Sequence, residues 1–415
     1  MVAGLLAPPA VATPLAAPAA PKAAPSFDID LMSNRLSALP QKNLTSTAWA
    51  VYTAGGEPLV VNDQLMVPAS TTKILTALAA IDLLGADRTF TTKVVSARKG
   101  RIVLVAGGDP YLTSGRSSVA AKKANLTDLA AATAKALKKA KVKKVTLTFS
   151  APLFSGASYS PSWKKAWSSY TPRIMSLTVN GGKSGSSAYG NPARSTAKLF
   201  ASKLKAKGIK VTFTGSSSVP KDAETVASVT SAPLGTMVRR MLLYSDNVAA
   251  ETLARHVAIA AGQAPSFDGG SAAISGWLQG KGLWGDGMVI DGGSGLSSNT
   301  RVLPSVVARS VGFALADQRY VDVIKGLPTA GVSGTLSRRF NDPEELAGRK
   351  VVRAKTGSLK QVNSLAGYVT TATGEVLTFA YFASHNGKYS TTAGNWLDRS
   401  ASVLAACGCA TAVAG

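Results

Sequence analysis

The segment between Arg88 and Ser231 differs in composition from the sequence on either side of it, and this contrast limits the folds open to the chain. It holds most of the lysine clusters, several short β-like runs and two helical runs. The flanking residues 26–87 and 232–415 contain long apolar helical patterns and end in three strand-like runs. This order predicts an α/β (α+β) fold, in which one core, split in sequence, carries an inserted α+β domain over residues 88–231.

Composition places the chain among globular proteins. Hydrophobic residues make up 46% of its 415 residues and charged residues 16%, which is enough apolar material for two or three domains. Residues 1–25 are rich in alanine and proline and lack the basic start of a signal peptide, so they predict a linker or the remnant of an export segment. No uninterrupted apolar run of membrane length occurs elsewhere, so we expect no integral membrane span.

The charge is strongly unbalanced. Lys and Arg number 46 against 22 Asp and Glu, which gives a formal net charge of +24. Such a field attracts polyanions: nucleic acid, anionic membrane surfaces or the acidic polymers of a bacterial wall. The sequence has no zinc-finger spacing and no basic motif interleaved with aromatic residues, so we do not expect nucleic acid as a partner.

Histidine and cysteine are scarce. His256 and His385 are the two histidines, and Cys407 and Cys409 are the two cysteines. A metal site or a Ser-His-Asp triad therefore has almost no material, and we predict no metal and no cofactor. A disulfide across one residue would be strained, so the cysteines receive no catalytic role here. Any serine nucleophile in this chain needs a base other than histidine.

The stretch "PASTTKILTALAA" contains the first Ser-x-x-Lys motif, formed by Ser70 and Lys73. Five other matches make the spacing alone uninformative. Ser70 differs from them because it opens an apolar helix, where backbone N–H groups and the helix dipole favour developing negative charge. Lys73 lies one turn later on the same face, and apolar surroundings would lower the pKa of its amine. The five other matches are Ser96/Lys99, Ser162/Lys165, Ser195/Lys198, Ser202/Lys205 and Ser218/Lys221.

Two further motifs follow in order. "YSDN" places Ser245 and Asn247 in a helical neighbourhood, and "KTGS" begins at Lys355 after a β-rich run. On an edge strand, the second of these motifs presents backbone groups to an extended peptide, and Gly357 permits close approach. Ser-x-x-Lys, Ser-Asp-Asn and Lys-Thr-Gly in this order are the signature of serine enzymes that act on D-alanyl peptides and β-lactams.

With these motifs and their flanks, the chain resembles the class C low-molecular-mass penicillin-binding proteins, the D-alanyl-D-alanine carboxypeptidase/endopeptidases of peptidase family S13. The resemblance covers nearly everything after residue 30. It implies a penicillin-binding/β-lactamase-like transpeptidase core of helices on an antiparallel sheet, and an extracytoplasmic enzyme. Its implied partners are peptidoglycan peptides and β-lactams, with anionic wall polymers as a further candidate. The matching stretches are "VLVAGGDPYL", "SAPLGTMVRRMLLYSDNVAAETLARH", "DGGSGLSSNTRVLP", "LPTAGVSGTLSRRF" and "AKTGSLKQVNSLAGYV".

The resemblance also implies catalytic roles. Ser70 would be the acylated nucleophile and Lys73 its base. Ser245 would relay the proton to the leaving group, and Asn247 would hold the substrate amide. Lys355 would polarise Ser245.

Substrate-binding roles are implied for the end of the third motif. Thr356 and Ser358, together with Lys355, would receive the substrate carboxylate, and Gly357 belongs to the same substrate-binding strand. The backbone N–H groups of Ser70 and Ser358 would form the oxyanion hole.

The sequence departs from the family in two places. Ser245 follows Ser70 by 175 positions, which is short for a member with two inserted domains, so one of them is reduced or missing. Ser150 stands where the family often has an aspartate that holds the diamino acid side chain of the stem peptide. Trp163 and Tyr170 are candidates to line that region, although packing explains them equally well.

Three alternatives accompany this hypothesis. Ser70 and Lys73 by themselves are also typical of an N-capped helix with a lysine whose amine reaches solvent. A class A β-lactamase shares the three motifs, but no Glu-x-x-Leu-Asn element follows Ser245. A catalytically silent wall-binding protein would use only the positive charge, and the intact motif residues argue against it.

Overall fold

The computed structural model describes residues 26–115, 124–169, 171–388, 390–407 and 410–411. The linker predicted over 1–25, Tyr170 and Cys409 lie outside these residues. The helices are α1 (Ile29–Ser37), α2 (Thr72–Leu84), α3 (Leu126–Lys139), α4 (Pro192–Ala206), α5 (Leu234–Tyr244), α6 (Asn247–Ala260), α7 (Phe267–Gly280), α8 (Pro304–Leu315), α9 (Val321–Gly326) and α10 (Ser390–Ala405). The strands are β1 (Ser26–Phe27), β2 (Leu44–Thr53), β3 (Pro58–Asn62), β4 (Thr91–Arg98), β5 (Arg101–Val105), β6 (Lys144–Ser150), β7 (Lys183–Ser184), β8 (Ser187–Ala188), β9 (Lys210–Ser216), β10 (Glu224–Thr230), β11 (Arg353–Leu359), β12 (Val362–Thr370), β13 (Val376–His385) and β14 (Ala410–Thr411).

The core is built on a five-stranded antiparallel sheet in the order β11-β12-β13-β2-β3. Both faces of this sheet are covered, so its central strand β13 is apolar on both sides. Ala380 and Phe382 pack in the cluster formed with α2 and α5–α8. Phe379, Tyr381 and Ala383 pack in the cluster formed with α1 and α10. The sheet therefore lies between two helical layers, with β11 at one edge.

Helix α2 is the most enclosed helix of the core. All residues from Thr72 to Ile81 are buried, because α5, α6, α7 and α8 surround it. A helix that is apolar on every side packs in an interior, as its sequence predicts. Gly85 ends it, with a φ of 80° and its N–H bonded to the carbonyl of Ile81.

A second five-stranded sheet, in the order β10-β4-β5-β6-β9, is formed entirely by residues between Thr91 and Thr230. Strands β5, β6 and β9 are parallel neighbours, joined by crossovers that contain α3 and α4. These two helices cover one face and share a hydrophobic cluster with the sheet. The predicted fold class, a core with an inserted α+β domain, is confirmed. The exact boundaries 26–87, 88–231 and 232–415 stay predictions.

Two other sequence expectations concern the chain as a whole. Cys407, to which the sequence assigns no catalytic role, is buried and disulfide-bonded. Among the described helices, none combines the length and the apolar character needed to cross a membrane.

Candidate active site

Ser70 lies in a short 3₁₀ turn, Ala69–Thr71, that leads directly into α2. The turn is strained, because Ala69 has a φ of 47°, which side chains other than glycine seldom adopt. Neighbouring elements hold it in place. The hydroxyl of Ser364 on β12 donates to the carbonyl of Pro68 at 2.6 Å, and a side chain on Gly295 would overlap the carbonyl of Ala69. The nucleophile predicted from sequence is thus held by strands and loops distant in the chain.

Lys73 is the central charged group of the site. Its side chain is fully buried, and Nζ lies 2.9 Å from Oγ of Ser70, 2.7 Å from Oδ1 of Asn247 and 2.7 Å from the carbonyl oxygen of Ser294. Burial lowers the pKa of this amine to about 7, although the charges of Glu251 and Asp246 act in the opposite direction. The ammonium form of Lys73 donates to all three of these oxygens. The neutral amine keeps two N–H groups, which suffice for Asn247 and Ser294, and its lone pair is then available to accept the proton of the Ser70 hydroxyl.

The other Ser-x-x-Lys matches have no such environment. Each of their lysines is exposed to solvent, whereas Lys73 is not. The structure therefore separates the six matches by burial, as the surrounding sequence predicts. The exposed lysines are Lys99, Lys165, Lys198, Lys205 and Lys221.

The second motif joins α5 to α6. Ser245 has left-handed backbone angles, φ 57° and ψ 42°, and ends α5. Asp246 then caps α6, because its Oδ1 accepts the N–H of Ala249 at 3.0 Å. Asn247 uses its Oδ1 for Lys73, which leaves its amide N–H₂ group to the cleft. The turn brings both predicted residues, Ser245 and Asn247, beside Ser70.

The third motif lies on β11, the edge strand that was predicted. Lys355 is fully buried, and burial, with the charges of Lys73 and Arg339, lowers the pKa of its amine well below the usual range. Its Nζ donates to the carbonyl of Thr356 at 2.6 Å. The contact with Ser245 that the resemblance implies is not formed. Among the described residues, the Ser245 hydroxyl makes no hydrogen bond.

The rest of this strand touches the nucleophile turn. The hydroxyl of Thr356 donates a hydrogen bond to the hydroxyl of Thr335 at 2.8 Å. A Cβ on Gly357 would overlap the hydroxyl of Ser364 and lie 2.9 Å from the backbone nitrogen of Ser70. Only glycine permits this approach, which places the exposed Ser358 at the cleft next to Ser70.

These elements enclose a cleft of about 520 Å³. Trp167 of the inserted segment forms part of its wall, whereas Trp163 is buried and packs edge-on against Phe267 at 5.0 Å. Packing thus explains Trp163. Ser150 is buried at the end of β6 and is absent from the wall. The lining residues are Ser70, Ala166, Trp167, Ser245, Asn247, Leu296, Ser358, Leu359 and Lys360.

Glu251 is a site residue that sequence reasoning missed. It is buried on α6, one turn after Asn247, and accepts the backbone N–H groups of Gly293 at 3.1 Å and Ser294 at 2.9 Å. Burial raises the pKa of its carboxyl. By holding this loop, Glu251 fixes the Ser294 carbonyl that accepts from Lys73. An isolated acidic residue within an apolar helix, four positions after Asn247, is the signal that could have identified it.

Within the part of the chain that the structure describes, no group of three or more His, Cys, Asp or Glu side chains is arranged to hold a metal ion.

The model of the D-Ala-D-Ala carboxypeptidase 3 (S13) family matches residues 37–190 and 182–403. The chain belongs to this family. Carboxypeptidase DacB of Mycolicibacterium smegmatis is 35% identical to this S13 member over 365 residues, which are 83% of this chain and 76% of that protein. A carboxypeptidase of Mycobacterium tuberculosis is 33% identical over 372 residues, which are 85% of this chain and 77% of that protein.

Solved structures agree on the fold of this S13 member. The crystal structure of penicillin binding protein 4 from Haemophilus influenzae superposes with a TM-score of 0.74 at 22% identity, covering 90% of this chain and 98% of that one. The same protein in complex with a β-lactam superposes with a TM-score of 0.70. The penicillin-binding architecture that the resemblance implied is thereby confirmed.

Proposed function

We propose that this S13 family member is a serine D-alanyl-D-alanine carboxypeptidase/DD-endopeptidase that acts on peptidoglycan stem peptides and cross-links outside the cytoplasm. The observation that carries the proposal is the buried Lys73 amine, 2.9 Å from Oγ of Ser70 and held there by Asn247 and Ser294. A base with a pKa near neutrality beside a hydroxyl at a helix N-terminus is what an activated serine needs.

In the acylation step, Oγ of Ser70 attacks the carbonyl carbon of the penultimate D-alanine, and its proton passes to Nζ of Lys73. The oxyanion that forms accepts from the backbone N–H groups of Ser70 and Ser358, each contributing about 3 kcal/mol in comparable enzymes. The C–N bond then breaks, and the proton travels through Ser245 to the leaving amine. Asn247 donates its free N–H₂ group to the substrate amide.

The substrate carboxylate binds at β11. The hydroxyl of the exposed Ser358 donates to it, the hydroxyl of Thr356 joins it after exchanging its hydrogen bond with Thr335, and the amine of Lys355 lies behind the strand residue Thr356 as a further donor. Water then hydrolyses the ester of Ser70 and restores the enzyme. A β-lactam enters the same steps, but its amine stays attached to the acyl group after the ring opens.

Slow hydrolysis of that β-lactam ester distinguishes this function from a β-lactamase. No carboxylate is among the residues that line the cleft. Both oxygens of Glu251 are engaged by backbone N–H groups behind Lys73, so this carboxylate is not available to activate a water. We therefore propose that β-lactams inhibit the enzyme.

A fluorescent penicillin tests the proposal. We expect covalent labelling of the folded protein, loss of labelling in Ser70→Ala, and normal labelling in Ser195→Ala, which changes another Ser-x-x-Lys serine. Absence of labelling in the folded wild type would support the silent wall-binding alternative, and rapid loss of the label would support a β-lactamase. Mass spectrometry of a defined muropeptide then shows whether one D-alanine is lost or a cross-link is cut.

A further inference from the structure

The positive charge of this protein is concentrated in one part of the chain. Residues 88–231 contain 25 of the 46 Lys and Arg residues but only 4 of the 22 Asp and Glu residues. Their excess of 21 accounts for most of the formal charge of +24. The core that carries the cleft is close to neutral. Solubility alone would not require such a division, because charge spread over the whole surface serves it equally well.

Within the inserted segment, lysines gather where the parallel strands begin. Lys144 of β6 is the direct strand partner of Lys210 of β9, and the N–H of Lys210 donates to the carbonyl of Lys143 at 2.9 Å. Helices α3 and α4 end close to each other. Lys138 lies in the last turn of α3 and Gly208 follows the end of α4, and a Cβ built on Gly208 would lie 3.9 Å from Nζ of Lys138. We call this region the lysine end. Its exposed members are Lys138, Lys139, Lys141, Lys143, Lys144, Lys205, Lys207 and Lys210.

The lysine end is not neutralised by the protein itself. Among the described residues, none of its eight lysines forms an ion pair with a carboxylate. A neighbouring cleft of about 580 Å³ adds Arg98 and Lys99 and has one acidic residue in its wall, Glu224. Helix dipoles favour cations in the last turns of α3 and α4, but Lys141, Lys143 and other members lie beyond those helices. Close like charges destabilise the folded state, so the arrangement points to an external anion.

We propose that the lysine end binds a linear anionic glycopolymer of the cell wall and holds the enzyme against its substrate. The choice of the wall as the source rests on the proposed function. Lysines are flexible point charges, which suit repeated phosphate or carboxylate groups without demanding one geometry. A long polymer also contacts several lysines at once, so its total binding free energy is large although each single contact is weak.

Two other polyanions fit the surface less well. Proteins that bind single-stranded nucleic acid stack its bases on aromatic side chains. The lysine end is formed by lysines and offers no such stacking surface. Insertion into an anionic membrane uses apolar side chains beside the basic ones. Among the residues of the inserted segment that the structure describes, Val219 is the exposed large apolar one, and it follows the opposite end of β9.

The lysine end is also separated from the cleft. Strand β6 runs from Lys144 at this end to Ser150, and the chain then continues to Trp167 in the cleft wall. Seven residues of strand span about 20 Å, so a bound polymer would leave the cleft open. The enzyme would thus be anchored to the wall while stem peptides enter freely.

Two charge-matched variants test this proposal. One variant changes Lys139, Lys143, Lys205 and Lys207 to Gln at the lysine end. Its control changes four exposed lysines of the core, Lys42, Lys325, Lys350 and Lys388, to Gln. Both variants lose four positive charges, so a difference in wall binding between them shows that the position of the lysines matters. Binding is measured by co-sedimentation with bacterial walls that carry their anionic polymers and with walls from which these have been removed chemically.

We expect the first variant to bind intact walls about tenfold more weakly than wild type, and the control to bind within about twofold, with all binding weakened by salt. Equal losses in both variants, or equal binding to stripped walls, would overturn the proposal. Tighter binding to phosphatidylglycerol vesicles or to DNA than to intact walls would do the same. Penicillin labelling is measured in parallel, and we expect it to be unchanged in both variants. Failure of that labelling would count against the proposed function rather than against wall binding.

Discussion

The amine of Lys73 makes the nucleophile sensitive to pH in a range where most lysines remain charged. Its pKa of about 7 means that the ammonium form, which cannot accept a proton, gives way to the neutral base as the pH rises through that value. We expect the second-order rate of acylation by a penicillin to increase with pH and to level off above neutrality. A rate independent of pH from mildly acidic to mildly alkaline conditions would exclude Lys73 as the base.

Glu251 sets the position of that pH profile. Its negative charge stabilises the Lys73 ammonium and therefore raises the pKa of the amine. Glu251→Gln keeps the shape and one acceptor but removes the charge, so we expect the acylation profile to shift to lower pH. Glu345→Gln, which changes a buried carboxyl packed near α10, is the matched control and should leave the profile in place. If the role of Glu251 were purely structural, Glu251→Gln would lower the acylation rate without shifting its pH profile.

Single residues differed in how well the sequence predicted them. Ser70 and Lys73 could be predicted because one apolar helix carries both, and the helix itself predicts burial of the amine. The isolation of Glu251 in an apolar helix could have marked it as a site residue, but its role could not be assigned, because its partners lie in a loop 42 and 43 positions away. The place of Trp167 in the cleft wall depends on how the inserted segment folds back, which no local pattern encodes.

At the scale of elements, the site depends on the contact between β11 and the 3₁₀ turn that precedes α2. Gly357→Ala would place a methyl group against the Ser364 hydroxyl, 2.8 Å from the carbonyl of Pro68. We expect it to push the strand away from the turn, to reduce acylation by about a hundredfold and to cost about 1–3 kcal/mol of stability.

Gly276 on α7 provides the control for this substitution. A Cβ on Gly276 meets no atom within 4 Å, so Gly276→Ala should leave acylation unchanged and raise stability slightly. Acylation kinetics and thermal unfolding of both variants check the prediction. Normal acylation by Gly357→Ala would show that the close approach of the strand is not needed.

Elements whose apolar residues recur with a clear helical or strand spacing were predicted well from the sequence. The apolar α2 and the strands β11 to β13 all form, because their patterns match the layers they join. Strand β10 has no such pattern. Its sequence, "ETVASVT", is polar and remains half exposed, and it pairs only with β4 at an edge of the second sheet. Pairing partners rather than its own composition make it a strand.

At the scale of the whole molecule, α6 connects the core to the inserted segment. His256 Nε2 lies 2.9 Å from the carbonyl oxygen of Gly108, and its ring stacks on Phe90 at 4.1 Å. Arg255 donates to the carbonyls of Ser155 and Ala157 at 2.8 and 2.7 Å. The sequence could not predict these contacts, because His256 and Gly108 are 148 positions apart.

This connection should weaken in acid. Burial lowers the pKa of His256 to about 4 from its ordinary 6.5. The unfolded chain therefore takes up this proton first as the pH falls from 6.5 towards 4, and the folded state loses about 3 kcal/mol over that range. Urea denaturation at neutral pH and near pH 4 measures the loss. We expect His256→Asn to be less stable at neutral pH but to lose less on acidification, whereas an equal loss would show that other groups are responsible.

Helix α6 begins with Asn247 in the cleft and reaches Arg255 and His256 two turns later. Helix α6 thus carries both Asn247, which faces the cleft, and the two side chains that bind the core to the inserted segment. A chain cut back to the catalytic core would lose two of the three carbonyls that accept from the guanidinium of Arg255, those of Ser155 and Ala157, and would keep that of Pro265. Loss of the inserted segment would therefore also remove contacts of the helix that holds Asn247.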